Sequence, residues 1–172
     1  MTSSDETRIR ARVPDDLPAL VAALTDQQPS YGYPLRWPLP FPVEQFIVRS
    51  YEEQAWVAER DGHVVGHVMI GRVEDDQAAA VVTAATGRHE LATVSVLFVA
   101  QDARGHGVGK LLLDTAVDWA VRRGRLPVLD VVPKHRGAVA FYRHLGWSDV
   151  GRFRPAWLPD GHDDVVLMAL LH

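Results

Sequence analysis

The sequence predicts an α/β (α+β) fold with a mixed, largely antiparallel central sheet of about seven strands and helices on both faces. Across residues 94–132 the order strand, helix, strand calls for a right-handed crossover, which places two strands in parallel. The turn signal Asp61-Gly62 between two apolar runs indicates an antiparallel hairpin instead. Two closing strands add further antiparallel pairing. The length suits one domain over residues 1–172.

The chain begins with a strand and a helix. An alternating strand is expected over Thr7–Val13, Pro14-Asp15-Asp16 is typical of a helix start, and Leu17–Leu24 supply the apolar face of that helix. Residues 27–42 then hold five prolines and four aromatic side chains without regular periodicity. They form either an irregular loop on the core or the aromatic wall of a substrate pocket, because binding residues concentrate on such loops. The candidate substrate-binding residues are Tyr31, Tyr33 and Trp37.

The middle of the chain is predicted to be mostly strand. A short helix over Val43–Tyr51 precedes the two hairpin strands, Ala55–Arg60 and His63–Val73. Residues 74–89 have a weak pattern, and their alanine-rich part is expected to extend a strand or to form a mobile loop. A fourth strand follows over Glu90–Val99.

The second half alternates helices and strands. An amphipathic helix is predicted over Leu111–Arg123, with Gly124 as its C-terminal cap. The elements expected after it are a strand over Val128–Val132, a helix over Arg136–His144, and closing strands over Ser148–Arg154 and Val165–Leu171.

The segment between the fourth strand and the amphipathic helix is rich in glycine. The apolar run ending at Val99 breaks into a loop with glycine at positions 105, 107 and 109, and the loop passes directly into the helix. Glycine lets the backbone approach a ligand closely, and the first N–H groups of a helix attract an anion. This arrangement predicts a site for a phosphorylated cofactor.

Two widespread phosphate-binding patterns fit this loop poorly. A Walker A loop would need glycine in place of Arg104 and a hydroxyl in place of Leu111. A dinucleotide fingerprint is met at Gly105 and Gly107, but Lys110 stands where its third glycine is required. Too few strand–helix units follow residue 132 for a dinucleotide-binding fold.

Two motifs in the right order resemble those of the GCN5-related N-acetyltransferases (GNAT). The first is Arg/Gln-x-x-Gly-x-Gly/Ala, met by Arg104, Gly107 and Gly109. The second follows the fifth strand of the family and agrees here at Ala138, Val139, Phe141, Tyr142, Gly146 and Trp147. It departs at His135, where the family usually has an asparagine that contacts the cofactor. The resemblance covers residues 90–150 well and implies the GNAT acyl-CoA acyltransferase fold.

The resemblance implies acetyl-CoA as cosubstrate and no metal. Family members bind its pantetheine arm in the gap between the fourth and fifth strands and its pyrophosphate at the glycine loop. The cofactor-binding residues carried over to this chain are Leu97, Phe98, Val99, Arg104, Gly105, His106, Gly107, Val108, Gly109, Lys110, His135, Ala138 and Tyr142. Acetyl transfer would be direct, in a ternary complex, which agrees with the absence of cysteine.

Transfer to an amine requires an acid and a base. Tyr142 matches the general acid of the family, and its other interpretation is a core tyrosine with a satisfied hydroxyl. The base must deprotonate an alkylammonium group. Thr93 occupies one of the family's base positions and cannot act as a base, whereas Asp130 occupies another and is costly to bury unless it is paired or functional. Glu90, at the outer end of the fourth strand, is the alternative.

The expected function is that of an acetyl-CoA-dependent N-acetyltransferase acting on a small-molecule or amino-acid-like amine. A non-catalytic acyl-CoA-binding module is the alternative, and a nucleotide-dependent oxidoreductase is disfavoured. A net charge of −4 argues against a nucleic-acid partner, and no apolar stretch is long enough to predict a membrane partner. The N-terminus lacks the layout of a signal peptide, so we expect a cytoplasmic protein. The assembly expected is a homodimer.

Overall fold

A mixed sheet of seven strands forms the centre of the computed structural model, which describes residues 6–172. The strands are β1 (Arg8–Ala11), β2 (Glu52–Arg60), β3 (His63–Gly71), β4 (Leu91–Val99), β5 (Leu126–Val131), β6 (Ser148–Phe153) and β7 (Val165–Ala169). They lie in the order β1-β2-β3-β4-β5-β7-β6. The pair β4–β5 is parallel and the other neighbouring pairs are antiparallel, which confirms the predicted fold class.

Helices cover both faces of this sheet. Within residues 6–172 they are α1 (Leu17–Tyr31), α2 (Val43–Ile47), α3 (Asp76–Thr86), α4 (Val108–Val121) and α5 (Arg136–His144). Side chains alternate along a strand, so Val68 and Ile70 pack in the core beneath α4 and α5, while Met69 packs against α1 and α2. Helix α3 lies on the same face as α1, over β5, β6 and β7. No helix of the described residues is both long and apolar enough to span a bilayer.

The hairpin between β2 and β3 is built as its sequence predicts. Asp61 and Gly62 form its two-residue connection, and both have positive φ, at 51° and 76°. A two-residue turn with positive φ at both positions matches the twist of the strands it joins. Asparagine, aspartate and glycine tolerate this conformation best, which explains why the pair marked the hairpin so clearly.

The alanine-rich part of residues 74–89 forms neither a strand extension nor a loop but a helix, α3, so that prediction was wrong. The Asp75 carboxylate caps α3 by accepting hydrogen bonds from the backbone N–H groups of Gln77 and Ala78, at 2.9 and 3.1 Å. The helix ends at Gly87, which has the left-handed φ of 71°. Alanine favours helix more than any other residue. The buried stripe, Ala78 and Val82, is short and made of small side chains, so hydrophobic periodicity indicated it only weakly.

Three further helix boundaries differ from expectation, and the first is that of α2, which ends at Ile47 rather than at Tyr51. Helix α1 continues to Tyr31, so the irregular aromatic segment starts only at Gly32, whose φ of 65° terminates the helix. The extra turns are stabilised by Gln27, which is buried and donates to the carbonyls of Leu24 and Tyr33. Helix α4 begins at Val108 rather than at residue 111, since glycine and lysine at its start do not interrupt it.

Candidate active site

The sheet opens between its two parallel strands. Parallel pairing joins residues 91–93 of β4 to residues 126–128 of β5, and the register ends there. Beyond it lies a cavity of about 1080 Å³, lined by residues 94–99 of β4, by residues 129–131 of β5 and by Val132 directly after it. Residues from helices on both faces also line the cavity, among them Phe46 of α2 and Tyr142 of α5. The gap therefore connects the two faces of the sheet.

A bulge in β4 shapes one edge of the gap. Val96 has φ of 52°, which is rare for a β-branched residue, and the β3–β4 register shifts at this point. Its carbonyl accepts a hydrogen bond of 2.7 Å from Nδ1 of His67. The carbonyl and N–H groups of a trans peptide point in opposite directions. The N–H of Leu97 therefore points away from His67. Leu97 itself lines the cavity.

His67 is held as a neutral side chain beneath the bulge. Arg12 can only donate, so its Nη1 donates to Nε2 of His67 at 2.9 Å and leaves the ring proton on Nδ1. Arg12 is paired in turn with Glu52 at 2.6 Å, and the His67 ring stacks on Phe98. Burial lowers the pKa of His67 to about 4. The bulge thus rests on a buried, uncharged histidine.

We expect stability to fall as the medium is acidified through the range where unfolded histidine protonates. The pKa of His67 is about 4 in the folded chain and about 6.5 when unfolded, so between these values the unfolded state binds more protons. The resulting loss from pH 7 to pH 4 is about 3 kcal/mol. Urea unfolding of wild type and His67→Gln at both pH values isolates this contribution from the carboxylates. If the free energy of unfolding falls equally in the two proteins between pH 7 and pH 4, a lowered pKa of His67 is contradicted.

The loop before α4 forms an open cradle. Gly105 and Gly107 have φ of 83° and 75°, and a Cβ built on either would meet nothing within 4 Å. Gly107 is the N-cap of α4, so the N–H groups of residues 108–110 form the first turn, where intrahelical acceptors are missing. Both glycines line the cavity. Free space above an N-terminal turn suits a phosphate group, so the residues present fit the pyrophosphate of acetyl-CoA.

Arg104 and His135, two of the predicted cofactor-binding residues, contact the end of α1. The guanidinium of Arg104 lies 3.2 Å from the ring centroid of Tyr31, and its Nη2 is 3.5 Å from Oε1 of Gln27. His135 donates from Nε2 to the carbonyl of Gly32 at 3.0 Å, and burial lowers its pKa. The end of α1 therefore contacts the loop before α4 and the loop before α5.

Most of the other predicted cofactor residues line the same cavity. They are Leu97, Phe98, Val99, Val108, Gly109, Lys110 and Ala138. His106 does not, although it belongs to the same loop, and Lys110 is paired with Asp114 on the surface of α4. The two motifs, which lie about 30 residues apart in sequence, are thus brought to one space.

Asp130 and Tyr142 face this cavity from β5 and α5. Asp130 lies two residues beyond the last β4–β5 pair and is exposed to the cavity, although protein atoms enclose it on its other sides. This burial raises the pKa of Asp130, and the charge of Arg49 opposes the rise. Burial, together with the charge of Asp130, raises the pKa of Tyr142, so its hydroxyl stays protonated at neutral pH. The site therefore offers a carboxylate as proton acceptor and a phenol as proton donor.

The structure does not bring Glu90 to the cavity. Glu90 precedes β4 at the closed end of the gap, where its carbonyl accepts from the N–H of Leu126 at 2.7 Å. Its residue is exposed, and the cavity starts four positions later, at Val94. Four residues of strand span about 13 Å. Of the two candidate bases, the geometry favours Asp130.

The wall of the cavity expected to bind the acceptor amine, called the acceptor side below, was only partly predicted. Tyr31 and Tyr33 line it, and Tyr33 packs edge-on against Phe46 with ring centroids 5.6 Å apart, but Trp37 does not line it. Sequence reasoning missed Arg36, Leu39, Phe41, Phe46, Arg49, Tyr51 and Trp157. Leu39 and Phe41 belong to the segment flagged for its aromatic content, whereas no local pattern distinguishes Arg49 or Trp157.

Comparisons with known proteins agree with this architecture. The model of the Acetyltransferase (GNAT) family matches residues 19–147. An uncharacterised N-acetyltransferase of Methanocaldococcus jannaschii is 30% identical over 111 residues, which are 61% of this chain and 43% of that protein. The chain thus matches less than half the length of this relative.

Solved structures share the fold at low sequence identity. The ribosomal-protein-S18-alanine N-acetyltransferase of Escherichia coli superposes with a TM-score of 0.67 at 20% identity, covering 96% of this chain and 93% of that one. NAA60 of Arabidopsis thaliana, solved with acetyl-CoA, gives a TM-score of 0.69 at 20% identity and covers 95% and 97%. An N-acetyltransferase of Staphylococcus aureus gives 0.71 at 20% identity, covering 96% and 98%.

Proposed function

Because the chain belongs to the Acetyltransferase (GNAT) family, we propose that it is an acetyl-CoA-dependent N-acetyltransferase acting on a small-molecule or amino-acid-like amine. One observation carries the proposal: a carboxylate and a protonated phenol face a single cavity that opens between β4 and β5, beside a glycine cradle. A binding module without catalysis would not need this pair. One domain over residues 1–172 and assembly into a homodimer remain predictions.

The residues that would hold acetyl-CoA lie along the gap. The backbone of Leu97–Val99 offers an unpaired strand edge to the pantetheine arm, much as a peptide is added to a sheet. The N–H groups at the start of α4, with Gly105 and Gly107, would hold the pyrophosphate. Acetyl-CoA supplies an acetyl group activated as a thioester.

Each proton has a residue to handle it. Asp130 accepts the proton that the acceptor ammonium must lose before its nitrogen can form the new C–N bond. The Tyr142 hydroxyl donates its proton to the sulfur as the C–S bond breaks. The raised pKa of Asp130 makes its carboxylate a stronger base than an exposed aspartate, and the pKa of Tyr142 lies above neutral pH, so its hydroxyl still carries the proton that it would donate. Direct transfer in a ternary complex, which the resemblance to the family implies, agrees with the absence of cysteine from the chain.

Acetyl-CoA is expected to raise the melting temperature, and NAD is not. A ligand at a hundredfold its Kd stabilises the folded state by about 2.7 kcal/mol, which is roughly 5–10 °C for a chain of this size. Thermal unfolding followed by fluorescence or calorimetry measures the shift. An unchanged melting curve at saturating acetyl-CoA contradicts the cofactor assignment, and so does an equal shift with NAD. A shift without release of CoA in the presence of any amine would instead indicate a binding module.

Gly107→Val tests the cradle within the same experiment. The added side chain would stand where phosphate approaches, so the shift with acetyl-CoA should disappear. A φ of 75° also strains any residue other than glycine, and Gly124→Val is the matched control. Gly124 has a φ of 68°, equally free space and no place in the cavity lining. Loss of the shift in both variants, or in neither, would argue against the cradle as the phosphate site.

A further inference from the structure

The acceptor side of the cavity holds an arginine without a counterion. Arg49 is half-buried and its Nε donates to the carbonyl of Phe46 at 2.5 Å, while its guanidinium lies over the Phe46 ring at 4.5 Å. Among residues 6–172 neither of its Nη groups has a hydrogen-bond or ion-pair partner. The side chain is therefore fixed on α2 with two donor groups left for a ligand.

Arg49 and Asp130 share this space without pairing. Asp130 is the one carboxylate among the described residues that line the cavity, and no ion pair within 4.0 Å joins it to Arg49. They are still near enough for the charge of Arg49 to act on Asp130. A guanidinium in such a setting is best satisfied by a planar anion such as a carboxylate, which it binds through two parallel hydrogen bonds. Because both side chains line the same cavity, one ligand in it can contact both charges.

We propose that the acceptor is a free amino acid with an apolar side chain. Its ammonium group faces Asp130, its carboxylate binds the Nη groups of Arg49, and its side chain packs against the apolar wall. That wall consists of Leu39, Phe41, Phe46, Tyr51 and Trp157. This inference rests on the proposed acetyltransferase function and narrows it.

The proposal separates this chain from protein N-terminal acetylation. The first residue of a peptide carries an amide where a free amino acid carries its carboxylate. A neutral amide cannot neutralise Arg49, so the guanidinium would stay in the cavity without a counterion. Peptide N-termini and simple alkylamines are therefore expected to be poor acceptors.

The test measures three acceptors with each of three proteins: wild type, Arg49→Met and Arg49→Lys. Phenylalanine, phenylalaninamide and phenethylamine share a ring and an amine, and only the first carries a carboxylate. With wild type, kcat/KM measured by release of CoA thiol should be about 10–100-fold higher for phenylalanine than for the other two. Leucine and methionine should behave like phenylalanine.

Arg49→Met should lower kcat/KM for phenylalanine by about the same factor and should change it far less for the other two acceptors, on which Arg49 acts only through the pKa of Asp130. Arg49→Lys keeps the charge but lacks the planar guanidinium, so its kcat/KM for phenylalanine should lie between those of wild type and Arg49→Met. A retained thermal shift with acetyl-CoA shows that each variant is folded with its cradle intact.

Two results overturn the inference in different ways. If wild type acetylates phenethylamine or phenylalaninamide as well as phenylalanine, or if Arg49→Met lowers all three alike, the chain is an acetyltransferase whose acceptor is not an amino acid held by Arg49. If no amine of a broad panel releases CoA although acetyl-CoA binds, the proposed function itself is wrong and the inference falls with it.

Discussion

Asp130→Asn is expected to lower kcat/KM by 10²–10⁴-fold at neutral pH, the usual range for loss of a general base. The substitution keeps the size of the side chain and removes its ability to accept a proton. An alkylamine has a pKa near 10 and arrives mostly as ammonium. As the pH approaches that value, free amine becomes abundant and the defect should shrink. A pH–rate profile from pH 6 to pH 10 measures this recovery.

The pH–rate profile of wild type should show the titration of Asp130 as an acidic limb. Burial raises the pKa of Asp130 above the ordinary value for an aspartate, so the acidic limb of kcat/KM should lie above the pH at which exposed carboxylates titrate. That limb should vanish in Asp130→Asn.

Glu90→Gln is the matched control for Asp130→Asn. It neutralises the other candidate carboxylate, which lies outside the cavity, and should change kcat/KM by less than about threefold. An Asp130→Asn variant whose kcat/KM and pH–rate profile equal those of wild type, together with a loss in Glu90→Gln, would reverse the assignment. A melting temperature that collapses in Asp130→Asn would mark the carboxylate as structural.

The sequence predicted the fold where local patterns and tertiary contacts agree. The limits of α5, residues 136–144, match the structure because its apolar face and the following glycine are both strong signals. The hairpin at Asp61-Gly62 was equally clear, because a turn signal stands between two apolar strands. The glycine loop was also located correctly, since closely spaced glycines are costly unless the backbone needs them.

The acceptor site could not be predicted in the same way, because tertiary contacts create it. Arg49 matters only because α2 packs against the sheet and the residues that follow this helix bring Arg49 to the same cavity as Asp130. Trp157 reaches the cavity from the connection between β6 and β7. Neither position repeats a period or matches a spacing. His67 was missed likewise, since its role depends on a bulge that local sequence does not encode.

The bulge connects the fold to the chemistry. Without the positive φ of Val96, the alternation of β4 would continue and its next side chains would exchange faces. In the structure Val96 and Phe98 pack towards α1, and Leu97 and Val99 pack towards α4. The strand thereby offers its backbone to the gap at the place where β5 departs.

Tyr142→Phe is expected to lower kcat by about 10²-fold and to leave the affinity for CoA almost unchanged. The substitution removes one hydroxyl and keeps the ring, which packs edge-on against Phe141 and Trp147. The expected loss is at the lower end of acid–base contributions because a thiol with a pKa near 8.5 leaves fairly well without help. Steady-state kinetics with CoA binding by calorimetry separates the two quantities.

Tyr33→Phe is the matched control for this prediction, because it removes another enclosed hydroxyl from the same cavity. Burial raises the pKa of Tyr33 as it does that of Tyr142, but Tyr33 lies on the acceptor side against Phe46. Its loss should alter KM for the acceptor more than kcat. If both variants lower kcat equally, the effect reflects the polarity of the cavity rather than proton donation. If Tyr142→Phe keeps the full rate, water protonates the leaving thiolate and Tyr142 serves only to pack the core.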